Sequence, residues 1–309
     1  MESIAALVTS QVFIMLILIA VGYLLARFKV VGVIGAKEMS DILLTIVTPC
    51  VMIKAYQIEF NREIFSDIIW AFILSIIIHI AAILTAHICF IRQKNIEKKK
   101  IKMFTSVYSN CGFMGIPLLE ATLGEKGVLI GSAYLAVFNL IAWTHGICMY
   151  SGNLKSLSVK QLAKNPGVIG VILALLLFFT QYKLPMPVYQ SVNYIAMLNT
   201  PLAMILLGCY LERTDLKNAF KNKDIYSVSF VRLILIPCFA VVLFKLFGTT
   251  EFVASSLIMS AACPAAAIGA LFAAKNNMDT SLPSQIVSVT TLISMVTLPL
   301  MSYFVSVVY

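Results

Sequence analysis

The chain has 309 residues, of which 60% are hydrophobic and 12% charged, and its formal net charge is +9. A soluble domain carries roughly 25% charged residues, so this surface is too poor in charge to face water alone and must largely meet lipid. The positive residues lie in short clusters between apolar runs, a pattern of membrane topology that argues against a nucleic-acid binder.

Ten apolar runs follow one another: Val8–Arg27, Lys37–Ala55, Ser66–Ile91, Ile101–Gly124, Gly127–Tyr150, Pro166–Gln181, Ser191–Leu211, Ile225–Phe247, Glu251–Ala274 and Leu282–Val308. Each is near the ~20 residues with which a helix crosses ~30 Å of hydrocarbon, so the expected fold is an all-α membrane protein. The first run does not read as a cleavable signal peptide, because Glu2 stands where a basic start is expected and no small-residue cleavage site follows. The sixth run is the shortest.

Loops after odd-numbered runs hold seventeen basic residues, among them Arg27, Lys37, Lys94, Lys98–Lys100, Lys102, Lys155, Lys160, Lys164, Arg213 and Lys275. Loops after even-numbered runs hold four: Arg62, Lys126, Lys183 and Lys245. The positive-inside rule predicts cytoplasmic odd loops and both termini outside. Lysines such as those of Lys94–Lys102 meet anionic lipid headgroups more readily than RNA. Lys54 and Arg232 fall inside runs and are expected to snorkel to the interfaces. Lys54 has an alternative role, drawing anions toward an outward-open site. Seven cysteines form no C-x-x-C pair, so neither a disulfide framework nor a zinc site is expected, and no metal or other cofactor is implied.

The second run contains Thr48-Pro49-Cys50-Val51-Met52-Ile53 and the seventh Thr200-Pro201-Leu202-Ala203-Met204-Ile205, four of six positions matching at a spacing of 152. Pro117 in the fourth run and Pro264 in the ninth stand 147 apart. Both correspondences link a run to the fifth run after it. Five spans per half is an odd number, so the second half enters the membrane upside down, as in the inverted repeats of secondary transporters. The halves are 1–150 and 166–309, joined by a short cytoplasmic connector, 151–165.

The fourth run reads Ser109-Asn110-Cys111-Gly112-Phe113-Met114-Gly115-Ile116-Pro117-Leu118-Leu119. Two glycines, an asparagine and a proline so close together weaken a helix, and carbonyls freed at membrane depth must be buried or line a wet cavity. The ninth run breaks at Cys263-Pro264 and continues through small residues, Ala265 to Ala270, that permit close approach. Pro49, Pro201, Pro237 and Pro299 read as kinks or hinges. Pro117 and Pro264 are expected to start half-helices whose N–H groups and partial positive charge point at a common centre. Two such ends make an anion site, with Asn110 as an added amide donor and Ser109 as a weaker neighbour. The candidate binding residues are Ser109, Asn110, Gly112, Pro117, Cys263 and Pro264. His79 and His145 are candidates for proton coupling, since histidine titrates near physiological pH, although a hydrogen bond to a neighbouring helix explains each equally well. Asp41 and Glu120 lie toward helix ends, within reach of water.

No Ser–His–Asp arrangement, H-E-x-x-H or acidic pair is present, so enzymatic chemistry is not expected. A channel is the competing class, because broken helices also line pores; saturable exchange marks a carrier and high-rate current a channel.

The segment Asn110–Leu119 resembles the signature of the auxin efflux carrier family. So do Cys263-Pro264-Ala265-Ala266-Ala267, Ala273-Ala274-Lys275-Asn276-Asn277 and Leu298-Pro299-Leu300. That family contains plant auxin exporters and bacterial permeases for malate or malonate, and the resemblance covers nearly the whole chain. It implies ten helices in two inverted five-helix repeats, the fourth and ninth broken and crossing near the bilayer centre. It also implies a scaffold of the first, second, sixth and seventh helices, a mobile transport domain moving as an elevator, and a homodimer. A carboxylate would bind at the crossing beside Asn110, Pro117 and Pro264. The chain lacks the long central loop of the plant carriers and so resembles compact bacterial members, which puts auxin itself in question as substrate. The expected function is a secondary transporter that moves a small organic anion (malate, malonate or an auxin-like acid) across the plasma membrane by alternating access. Its expected partners are that anion, membrane lipid and a second copy of the chain.

Overall fold

The computed structural model describes residues 4–152 and 165–309; most of the predicted connector, with Lys155, Lys160 and Lys164, lies outside them. Among the described residues the chain is helical, with one isolated β-bridge and no strand. Helix α1 is Ile4–Arg27. Val33–Ile42, Leu43–Val47 and Thr48–Ala55 run on as α2 (33–55). Then come α3 (Arg62–Phe90) and the short α4 (Ile96–Val107). Helicity resumes at Cys111 and continues to Ser151, but Gly124 takes φ 65° and ψ −160°, where a side chain would be strained, and turns the chain back on itself. A Cβ on Gly127 would meet Leu123, one on Gly131 would meet Leu119, and one on Gly112 would meet Leu135, so the two arms pack antiparallel. The arms are α5 (111–123) and α6 (125–151). The second half comprises α7 (Pro166–Thr180), α8 (Met186–Glu212), α9 (Lys223–Leu246), α10 (Glu251–Ala262), α11 (Ile268–Lys275) and α12 (Ser281–Val308).

Local chemistry explains many of the boundaries. Asn61, Asn95, Asn165 and Asn222 each precede a helix and accept its first free N–H groups, as Asn61 does from Ile64 N at 2.7 Å. Gly152 ends α6 in the left-handed conformation that glycine tolerates. Three prolines share one solution. Pro49, Pro117 and Pro237 each follow a single wide π-turn: Leu43–Val47, Cys111–Gly115 and Val231–Leu235. In each case the residue before the proline donates five residues back, Thr48 to Leu43, Ile116 to Cys111 and Ile236 to Val231. The wide turn gives room where a proline ring would strike the preceding carbonyl.

Six stretches are long and apolar enough to cross a membrane among the described residues, counting Cys111–Ser151 as one. Helices α1, α2, α7 and α8 pack together, α1 most extensively on α8, while α3–α6 and α9–α12 gather around the breaks after α4 and α10. Outward faces are apolar: Phe13, Ile17, Leu84, Ile88, Leu176, Val296 and Leu300 are all exposed. In water such a surface would aggregate; in hydrocarbon it is the solvated face.

Candidate functional site

Helices α4 and α10 have 12 residues each, about 18 Å at 1.5 Å per residue and too short to cross a bilayer. Both end inside the protein, and the breaks that follow cross one another. Ser109 and Ala265 form an antiparallel bridge, with Asn110 N donating to Pro264 O at 2.7 Å and Ala266 N to Tyr108 O at 2.9 Å. A third donor, Ala265 N, finds Thr290 Oγ1 of α12 at 3.1 Å. The freed backbone groups are thus paired across the crossing rather than left facing lipid.

The two prolines stand elsewhere than at the half-helix starts expected for them. Helix α5 begins at Cys111, with Asn110 just before it, and Pro117 lies after the wide turn. Pro264 sits in the extended break, and α11 begins only at Ile268. The glycine-rich sequence ahead of Pro117 can wind into a helix once a π-turn relieves the clash, so helicity starts earlier than the proline suggests.

A cavity of about 460 Å³ reaches the crossing. Its inner wall contains Ser109, Asn110, Gly112 and Phe113 from one break and Ala266, Ala267 and Ile268 from the other, so it touches the N-terminal ends of both α5 and α11. Asn110 is buried, and its Nδ2 has no hydrogen-bond partner. An unpaired buried amide donor is costly unless a ligand or water satisfies it. Thr48, Asn139 and Trp143 line the flank, and Lys37, Asp41 and Arg213 line the mouth. Of the sequence candidates, Ser109, Asn110 and Gly112 line the cavity, whereas Pro117, Cys263 and Pro264 are not among its lining residues. The mouth charges were missed because exposed residues near helix ends carry no pattern that distinguishes them from a solvated loop.

Arg232 does not snorkel. It is fully buried, and its guanidinium donates to Ser106 O at 3.0 Å, to Val107 O at 2.7 Å and to Ala261 O. These carbonyls belong to the last turns of α4 and α10, where no helical N–H remains to pair them. Lys54, in the last turn of α2, is paired across the helix interface: its Nζ lies 3.0 Å from Glu120 Oε1, joining α2 to α5. Tyr56 and Ser132 add a second link from the end of α2, to α6, at 2.8 Å. His79 is buried, its Nδ1 2.7 Å from Ser75 O and its ring against Tyr134. His145 Nδ1 lies 2.9 Å from the hydroxyl of Tyr108, a residue of the first break.

A cavity that ends at two helix breaks inside an apolar bundle belongs with the membrane transporters. The chain is a member of the family described as "Membrane transport protein", the auxin efflux carrier type, whose model matches residues 7–162 and 149–302. It is 26% identical over 304 residues to an "Uncharacterized transporter" of Methanocaldococcus jannaschii, covering 94% of this chain and 96% of the relative. A protein of the same description from Methanothermobacter thermautotrophicus is 24% identical over 303 residues, 95% and 97% of the two chains. A "Putative malonate transporter" of Rhizobium meliloti is 22% identical over 137 residues, 41% of this chain and 43% of the relative. The protein is therefore a multi-pass membrane transporter.

Proposed function

We propose that the chain carries a small organic anion, of the malonate or malate class, by alternating access. The observation that supports this most strongly is the cavity in which the unpaired Asn110 amide and the N-terminal ends of α5 and α11 meet. Partial positive charge at two helix N-termini favours a carboxylate without a buried lysine in the site. At the mouth Lys37 and Arg213 outnumber Asp41, and the net positive charge adds attraction at longer range. The distant malonate-transporter relative agrees with that charge preference.

In this reading ten spans form two inverted halves: α1, α2, α3, α4 with α5, and α6; then α7, α8, α9, α10 with α11, and α12. The first two spans of each half, α1, α2, α7 and α8, serve as scaffold within a homodimer, and the rest move. The cavity mouth at Lys37 and Arg213 faces the cytoplasm by the charge bias, so the conformation is inward-open. Lys54–Glu120 and Tyr56–Ser132 close the opposite side between scaffold and moving part.

Thermal unfolding of purified protein with a panel of mono- and dicarboxylates tests the proposal. A ligand that binds only the native state raises the midpoint in proportion to ln(1 + [L]/Kd). Malonate or malate should do so, and labelled substrate should show saturable counterflow in vesicles; no shift with any carboxylate, or current at channel rates, would overturn the reading.

Orientation gives a second expected result. A membrane-impermeant thiol reagent should label a cysteine added at either terminus of intact cells, but not one placed at Lys99. Labelling of Lys99→Cys alone in intact cells would invert the topology. A proton link is proposed through His145, which bonds the break residue Tyr108, with buried His79 as the other candidate. At least one His→Gln change should flatten the pH profile of uptake, and two unaltered profiles would remove the link.

A further inference from the structure

Arg232 lies in the wide turn Val231–Leu235 that precedes Pro237, so a proline expected only to kink α9 is preceded by the turn that carries this arginine. An isolated positive charge at membrane depth is costly unless something compensates it. None of the carboxylates in the described ion pairs belongs to Arg232. The side chains around it are Tyr134, whose hydroxyl also reaches the guanidinium, Cys111 and Cys263, with His79 nearby. Its main compensation is the backbone. Three carbonyls accept from it, two at the end of α4 and one at the end of α10. Each helix C-terminus carries roughly half a negative charge, so two converging ends balance about one guanidinium.

In carriers built from inverted repeats with broken helices, unwound carbonyls and half-helix C-terminal ends are the groups that coordinate a coupling cation. We propose that Arg232 is a tethered counter-cation: its guanidinium occupies the carbonyl cluster where a sodium ion would otherwise sit, and substrate binding needs no alkali cation. Two physical points carry this. The carbonyl oxygens that a sodium ion would require already accept hydrogen bonds from Arg232. A second cation placed within a few ångströms of the guanidinium, away from water, would meet strong repulsion. The arrangement also divides the crossing by sign. The negative ends of α4 and α10 are neutralised by the chain itself, leaving the positive ends of α5 and α11 to act on the anion.

The consequence for coupling rests on the transporter reading; the local claim does not, and the experiment separates them. Purified protein is unfolded thermally in sodium, potassium and choline chloride at equal ionic strength, with and without malonate. The parent should show one midpoint in all three salts, and any malonate shift should be the same in each. Arg232→Ala should lower the midpoint by roughly 10 °C, because it strips the partner from buried carbonyls. Low-millimolar guanidinium should restore part of that loss, and urea at the same concentration should not. If Arg232→Ala cannot be purified, Arg232→Lys should stay monodisperse on size exclusion while Arg232→Met does not. A sodium-specific rise in the parent midpoint, sodium-dependent malonate binding, failure of guanidinium to rescue a purified Arg232→Ala, or equal behaviour of the Lys and Met variants would overturn the proposal. If no carboxylate shifts the midpoint in any salt, the substrate reading fails while the salt and rescue arms still decide the role of Arg232.

Discussion

Adding a single methyl group at Gly208 is expected to cost this protein roughly 3 kcal/mol or more, at the upper end of overpacking penalties. A Cβ there would stand 2.1 Å from Ile19 O and 2.6 Å from Tyr23 N of α1. The reciprocal position behaves alike, since a Cβ on Gly22 would stand 2.0 Å from Ile205 O. All of these are main-chain atoms in long helices, with no flexible side chain to swing aside. Small residues at a membrane-helix interface exist for this contact, which lets dispersion attraction act over two backbones at close range. Gly208→Ala and Gly22→Ala should each lower the unfolding midpoint strongly. The double variant should lose less than the sum, because either methyl group alone already separates α1 from α8. Gly32→Ala, with nothing within 4 Å, is the control. A parental midpoint in Gly208→Ala would mean that α1 and α8 do not meet as described.

Asn110→Ala is expected to weaken malonate binding about tenfold or more, since a hydrogen bond to a charged group contributes ~1.5–3 kcal/mol. The fold should survive, because the crossing uses the Asn110 main-chain N–H and leaves its side-chain Nδ2 unpaired. Pro264→Ala tests the other break. It should impair transport, because a restored N–H invites α10 to continue through the extended segment and displace the Pro264 carbonyl from Asn110 N. Binding isotherms and counterflow on folded variants measure both effects. If both variants keep parental affinity and rate, the crossing is structural only and the anion binds elsewhere.

What could be read in advance follows from how each feature is encoded. The two breaks were legible because Asn110, with Gly112, Gly115 and Pro117 close behind it, marks one and Pro264 marks the other. The point where helicity resumes was not, because a π-turn is a backbone adjustment that glycine permits but no residue type announces. Arg232 illustrates the sharper limit. Its acceptors are the carbonyls of Ser106, Val107 and Ala261, which any residue would supply, so an arginine in an apolar run read as an interfacial one. Lys54 and Glu120 were each visible as charges near helix ends, but their pairing spans α2 and α5 and exists only in the packed bundle. Gly22 and Gly208 likewise carry no local motif; each is a lone glycine whose meaning lies in a helix far away in sequence.

The main-chain bridge between the breaks also governs how this region can evolve. Two of its bonds run from Asn110 N to Pro264 O and from Ala266 N to Tyr108 O, and neither consults a side chain. Small replacements at Ser109, Ala265 or Ala266 should therefore leave the crossing in place, so substrate preference can diversify there without the architecture being rebuilt. One class of change is closed. Proline at position 110 or 266 would delete a donor that the bridge requires, so random mutagenesis should recover many residue types at those two sites in folded protein, and proline at neither.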